Sequence, residues 1–242
     1  PCDPDYFAGV LTLADAAGMN GATFALIRPD ETMVSAFIKD GDSDDSVGAD
    51  RIDLTMTSNQ RVRAVAASDG DVVALLENAD AAFRLVRFDG QDGASVFDRS
   101  VLNTNVGATA MRATATEIQI AASDQSGTSG LYRFDANSGA GLDSWPLIDG
   151  YRVVAVAGGE GDETTVVLSV DDETGDWWLQ RRDGTTALAE HALRVGGNEW
   201  VSATVTTVPL GAAVVALQLD GRIEVTVWDA TDPATASFDA FD

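Results

Sequence analysis

The sequence predicts an all-β fold, a five-bladed β-propeller of four-stranded antiparallel blades. Three observations predict it: an internal period, a strand-and-turn grammar repeated within that period, and a division of small and bulky residues between successive strands. The period shows in a short phrase, an apolar strand ending in a basic or aromatic residue, then aspartate, then glycine or alanine. It occurs as Phe37-Ile38-Lys39-Asp40-Gly41, Val86-Arg87-Phe88-Asp89-Gly90, Tyr132-Arg133-Phe134-Asp135-Ala136, Gln180-Arg181-Arg182-Asp183-Gly184 and Thr226-Val227-Trp228-Asp229-Ala230. The aspartates stand 49, 46, 48 and 46 residues apart. One Asp-Gly pair means little in an acidic chain, but this evenness marks a repeat architecture.

The grammar is plainest in the second repeat. Residues 61–68 read as a strand, and Asp69-Gly70 supplies a pair able to take positive φ in a tight hairpin. Residues 72–77 and 82–88 read as the next two strands, and 95–102 alternates apolar with polar residues as a half-exposed outer strand does. First strands elsewhere, at 107–113, 153–158 and 201–206, are built of small residues, as convergence on a central channel requires. Second strands, at 24–27, 72–76, 118–122, 166–170 and 214–219, are the most apolar runs, as expected of sheets covered on both faces. Only 186–195 also reads as a short helix. The repeats fall at about 6–56, 61–105, 106–150, 151–199 and 200–242 of a single domain spanning 1–242, with a tail at 1–5.

Composition narrows the function. The 242 residues carry 39 acidic and 15 basic side chains, a formal net charge of −24, and Lys39 is the sole lysine. Such a surface repels nucleic acid and offers no basic stripe to phosphate, whereas cations, basic proteins and neutral glycans remain compatible. Cys2 is the single cysteine, so neither an intrachain disulfide nor a multi-cysteine zinc site is expected. No apolar run reaches the ~18 residues of a membrane span. The opening Pro1-Cys2-Asp3, without methionine, suits processing of an exported precursor.

In its repeats the chain resembles the loosely repeated propellers of bacterial surface and secreted proteins. WD40 repeats place a Trp-Asp pair in most blades, and here Trp228-Asp229 stands alone. The five-bladed lectins similar to tachylectin match in length and blade count, but their repeats are near-identical, so no site is carried over. The resemblance implies a secreted or cell-envelope location.

Candidate chemistry is sparse. His191 is the only histidine and no Gly-x-Ser-x-Gly elbow accompanies it, so no catalytic residue is assigned. In the loop from Asp40 to Asp45, Asp40, Asp42 and Asp44 alternate, a spacing that lets oxygens converge on calcium, set against the plainer reading of a solvated hairpin loop. A second acidic loop spans 171–176. The recurrent aspartates suit capping of the turn after each third strand. Adjacent Trp177 and Trp178 point to opposite sheet faces, so one packs in the core and the other is a candidate contact for a sugar or a protein. The expected function is a non-catalytic binding or assembly module contacting protein or glycan through its loops. Its alternatives are a carboxylate-based glycosidase or metal-dependent hydrolase, and a structural subunit of a larger extracellular assembly.

Overall fold

The computed structural model describes residues 12–15, 21–27, 33–40, 49–55, 60–68, 71–89, 92–103, 106–124, 126–158, 164–183, 186–194, 200–208, 211–219, 221–229 and 236–240. Their regular elements are all strands, and they form five sheets of four strands each in chain order. The first sheet holds β1 (Thr12–Asp15), β2 (Gly21–Ile27), β3 (Met33–Asp40) and β4 (Ala49–Thr55). The second holds β5 (Gln60–Ser68), β6 (Asp71–Asn78), β7 (Ala82–Phe88) and β8 (Ser95–Asn103). The third holds β9 (Val106–Ala113), β10 (Glu117–Asp124), β11 (Ser129–Asp135) and β12 (Gly141–Pro146). The fourth holds β13 (Arg152–Gly158), β14 (Thr164–Val170), β15 (Trp177–Asp183) and β16 (Thr186–Arg194). The fifth holds β17 (Trp200–Val208), β18 (Gly211–Gln218), β19 (Ile223–Asp229) and β20 (Ala236–Ala240). Ladders of the first, second, fourth and fifth sheets are antiparallel throughout. No helix among the described residues is long and apolar enough to cross a membrane.

The repeated aspartate occupies the same place in every sheet. Asp40, Asp135, Asp183 and Asp229 end the third strand, and Asp89 directly follows it. After β7 and β11 the same two backbone bonds recur. Asp89 and Asp135 donate their N–H to the carbonyls of Ala94 and Ala140 at 2.8 Å, and Gly93 and Gly139 donate back to the aspartate carbonyls at 2.9 and 2.8 Å. Both glycines hold positive φ, 73° and 66°. In the second of these loops the carboxylate caps the turn, with Asp135 Oδ1 accepting the Ser138 N–H at 2.8 Å and its hydroxyl at 2.7 Å. Those Ser138 bonds hold the Asp135 carboxyl below its ordinary value.

The second-to-third-strand turns are shorter. Ala81, Gly127 and Gly221 donate to the carbonyls of Asn78, Asp124 and Gln218 at 2.9, 3.1 and 3.0 Å, with φ of 60°, 87° and 87°. Ala81 is thus an L-residue in the left-handed region where the two equivalent turns have glycine. That conformation costs an L-residue about 1–2 kcal/mol, partly offset by the greater freedom glycine loses on folding. Ala81→Gly is expected to raise stability by about 0.5–1 kcal/mol, read as a higher urea midpoint at unchanged slope.

The chain divides into two compact units, one of Pro1–Val106, Met111–Gln119 and Arg133–Asp143, the other of Gly107–Ala110, Ile120–Tyr132 and Ser144–Asp242. In the first, Val72, Ala74 and Leu76 of β6 pack with Val62, Val65 and Val86, and Phe88 covers them. In the second, Val166, Leu168 and Val170 of β14 meet Val205, Ala212, Val214 and Ala216 of the fifth sheet, with Trp177, Leu179 and Trp200 completing the cluster. β14 is buried at every position and β6 at its five central ones, the double-sided cover expected of second strands. β18 differs. Ala212, Val214 and Ala216 are buried, but Val215 and Leu217, which alternate with them, are 37% and 41% exposed. Successive side chains of a strand face opposite ways, so the two faces of β18 are covered unequally. The helical alternative at 186–195 is also corrected, because Thr186–Arg194 is the fourth strand of its sheet, paired to β15 along its length. Ladder pairing overrides its alanine-rich helix propensity.

Within the first unit Arg133 ties together Glu117 and Asp143, with Nε 2.6 Å from Glu117 Oε1 and Nη1 3.0 Å from Asp143 Oδ2. Burial by itself raises the Glu117 carboxyl, but hydrogen bonds from Arg133 and Gln119 and the Arg133 and Arg112 charges outweigh it. The group is held below its ordinary 4.5. A carboxyl lowered on folding contributes stability that is full above its unfolded value and lost as pH falls through its folded one. Glu117→Gln is therefore expected to cost about 1 kcal/mol at pH 6, and thermal melts should show the gap to the parent closing as the pH drops below about 4.5.

Candidate functional site

Where β13 and β17 begin, the fourth and fifth sheets leave a cleft of about 260 Å³. Its walls come from the starts of those strands, the end of β14, the loop that follows it and the start of β15. Arg152, Asp172, Trp177, Trp200 and Ser202 are the side chains with polar or aromatic chemistry to offer, together with Asp171. Trp177 and Trp200 are 5% and 7% exposed and form the deep end, their ring centroids 5.1 Å apart at 55°. Trp200 is fixed from behind, its Nε1 donating to Glu224 Oε2 at 2.8 Å while Gln218 Nε2 donates to the same oxygen at 2.7 Å. All three residues are buried, so the indole is held by a hydrogen bond in a low-dielectric setting.

Arg152 and Asp172 make the rim. Arg152 Nε donates to Asp172 Oδ2 and Nη2 to Oδ1, each at 2.8 Å, a two-point fork. These bonds raise the Arg152 guanidinium above its usual range. The side chains are 47% and 60% exposed, so solvent screening leaves such a pair little to give stability.

The loop carrying Asp172 departs from its equivalents. The second, third and fifth sheets join their second and third strands through the short turn ending at Ala81, Gly127 or Gly221, whereas the fourth uses the longer loop found elsewhere after third strands. Asp171 donates its N–H to the Asp176 carbonyl at 2.9 Å and Gly175 donates to Asp171 at 2.8 Å, with Gly175 at φ 74°. Asp171 Oδ1 accepts the Glu173 N–H at 2.8 Å. That bond and the Thr174 hydroxyl hold its carboxyl below the ordinary range. β13 and β17 also carry a register shift just inside the cleft, between Val153 and Ala155 and between Trp200 and Ser202. Such bulges re-aim the side chains beside them.

Of the residues singled out in the sequence, Trp177 lies in the cleft. Trp178 points to the other face of β15, half-buried and edge-on to Tyr151 at 5.7 Å. The buried member of the pair, not the more exposed one, thus belongs to the cleft. Asp40 ends β3, while Asp42 and Asp44 lie outside the described residues. Among the described residues no group of three or more His, Cys, Asp or Glu gathers as for a metal. His191 sits on β16 opposite Leu179. Each described carboxyl with a resolved shift, Glu117, Asp124, Asp135 and Asp171, is lowered, the opposite of a general acid held protonated. Arg152, Trp200 and Ser202 were not singled out. The available signal was the long loop between the second and third strands of the fourth repeat, which breaks the internal pattern.

No protein-family model matches the chain, and no curated protein does. Solved structures do. The Dos1 propeller matches over 97% of this chain at TM-score 0.60 and 10% identity, and the chain spans 59% of that structure's length. SapL1 lectin in complex with alpha methyl fucoside matches over 98% of this chain and 81% of its own, at TM-score 0.63 and 11% identity. A chain of the mitotic checkpoint complex matches over 98% of this chain and 67% of its own, at TM-score 0.61 and 15% identity. Four-stranded sheets in chain order, joined with these likenesses along nearly the whole length, make the chain a β-propeller by fold.

Proposed function

We propose that the protein is a non-catalytic binding module, with its five sheets as blades, belonging to an exported or cell-envelope bacterial protein and contacting glycan at its strand ends. The observation that carries this reading is the cleft between the fourth and fifth sheets, where two tryptophans lie beneath an exposed Arg152–Asp172 fork. Aromatic surface beside a few convergent polar groups is the usual make-up of a small-ligand site. The lectin among the similar structures adds weight to glycan over other ligands, and the charge of −24 favours uncharged partners over polyanions.

The assembly reading is favoured by a different feature, the half-exposed Val215, Leu217 and Ile223 on one face of the fifth sheet. Leu217 and Ile223 are direct cross-strand partners. Contiguous exposed apolar surface is the ordinary mark of a protein contact. Binding of the purified chain to an array of neutral and acidic glycans decides for the glycan reading, with retention of at least one neutral glycan as the expected result. A cooperatively melting sample that retains none would leave the assembly reading standing in its place.

A further inference from the structure

We propose that the cleft is a subsite for a single neutral pyranose ring, with two adjacent sugar hydroxyls on the Arg152–Asp172 fork and a ring C–H face turned toward Trp177 and Trp200. This rests on the glycan reading above and specifies its site and ligand class. Size comes first. At about 260 Å³ the cleft lies under the ~300 Å³ at which drug-sized pockets begin, so it admits one ring rather than an extended chain.

The rim supplies both hydrogen-bond senses within one rigid unit. A guanidinium only donates and a carboxylate only accepts. Vicinal hydroxyls, which do both, can bridge the two without breaking their fork. The exposed pair contributes little to folding, yet its Asp172 sits on the one described second-to-third-strand loop that is longer than its equivalents. Ser202 adds a third hydroxyl-compatible group across the cleft. The deep end is aromatic, and an aliphatic ring face suits an indole without desolvating a charge. Trp200 is pre-positioned by Glu224, so little side-chain ordering is left for binding to accomplish.

Charge sets the selectivity. Asp171 and Asp172 face one Arg152, and the fork already neutralises that arginine, so a carboxylate-bearing sugar meets net negative potential at the rim. Neutral pyranosides are accepted and uronides refused.

Saturation-transfer NMR on the full chain, titrated with methyl glycosides of neutral pyranoses and with a methyl glucuronide, tests this. Saturable transfer to the ring protons of at least one neutral glycoside and none to the glucuronide is expected. Asp172→Asn should weaken the neutral glycoside at least tenfold, whereas Glu173→Gln, on the same loop but outside the cleft, should leave it unchanged. Both sites are exposed, so neither change endangers folding. Equal binding by the Asp172→Asn protein, equal binding of the glucuronide, or no saturable transfer from any neutral glycoside overturns the proposal. If the glycan array is positive while Asp172→Asn binds as the parent does, the cleft alone is wrong. If the array is negative, the glycan reading itself has failed.

Discussion

Gly139→Ala is expected to lower stability by about 2–4 kcal/mol, far more than the same change at Gly221. Both glycines have positive φ, 66° and 87°, and alanine at either meets the left-handed penalty of about 1–2 kcal/mol. Space separates them. A Cβ on Gly139 would lie 2.7 Å from Phe97 Cε2, 2.8 Å from Phe97 Cδ2 and 2.9 Å from Arg99 Cγ, whereas one on Gly221 meets nothing within 4 Å. Phe97 is 8% exposed and cannot swing freely into solvent, and Arg99 is engaged with the Ser138 carbonyl through Nε at 3.2 Å. Relief must come from movement of a packed ring, an overpacking cost of about 1–3 kcal/mol. Urea unfolding of the two variants measures the difference, and equal midpoints would show that the β11–β12 turn yields where the packing says it does not.

Asp71→Ala is expected to cost about 3 kcal/mol, with little change in that loss on adding salt. Arg87 is a buried arginine, its Nε 2.6 Å from Asp71 Oδ2 and its Nη1 donating to the Ala136 carbonyl at 2.7 Å. The side chains are 8% and 19% exposed. Removing the carboxylate leaves a desolvated guanidinium without its hydrogen-bonded counter-ion, the costly way to break such a pair. Arg87→Met removes the charge instead, so the double replacement should cost clearly less than the sum of the two single ones. A double-mutant cycle reads this coupling, and strict additivity would mean that the two side chains do not act as a pair. Screening reaches exposed charges much more than buried ones, so 0.5 M salt, roughly, should not mimic the replacement.

The backbone plan was largely legible in the sequence, and the reasons are local. The turn chemistry of Asp89 and Gly93 needs no distant partner, and the apolar run of β6 is buried whichever sheets cover it. The third strand of the second repeat, 82–88, runs as read. What depends on neighbours was hidden. The run in β18 reads like that in β14, yet Val215 and Leu217 are half-exposed, because composition does not say whether a second face is covered. The alanines of β16 suit a helix until β15 claims their backbone groups. The cleft needs Arg152, Asp172 and Trp200 from three separate segments, and their meeting is a property of sheet stacking rather than of any spacing along the chain. Alternation along the strand put Trp177 and Trp178 on opposite faces without saying which turns inward, and it is the buried Trp177 that lines the cleft.

The consecutive strand order has a bearing on synthesis. Every ladder of the second sheet is completed between Gln60 and Asn103, and the fourth and fifth sheets are equally self-contained. A nascent chain can therefore finish one four-stranded unit before the next has left the ribosome, and no strand must wait with bare edges for a distant mate. The hazard moves elsewhere: a finished sheet has made all its own ladders but still shows apolar faces, so the characteristic error for this polypeptide is two sheets stacking on the wrong neighbours, with each sheet internally correct.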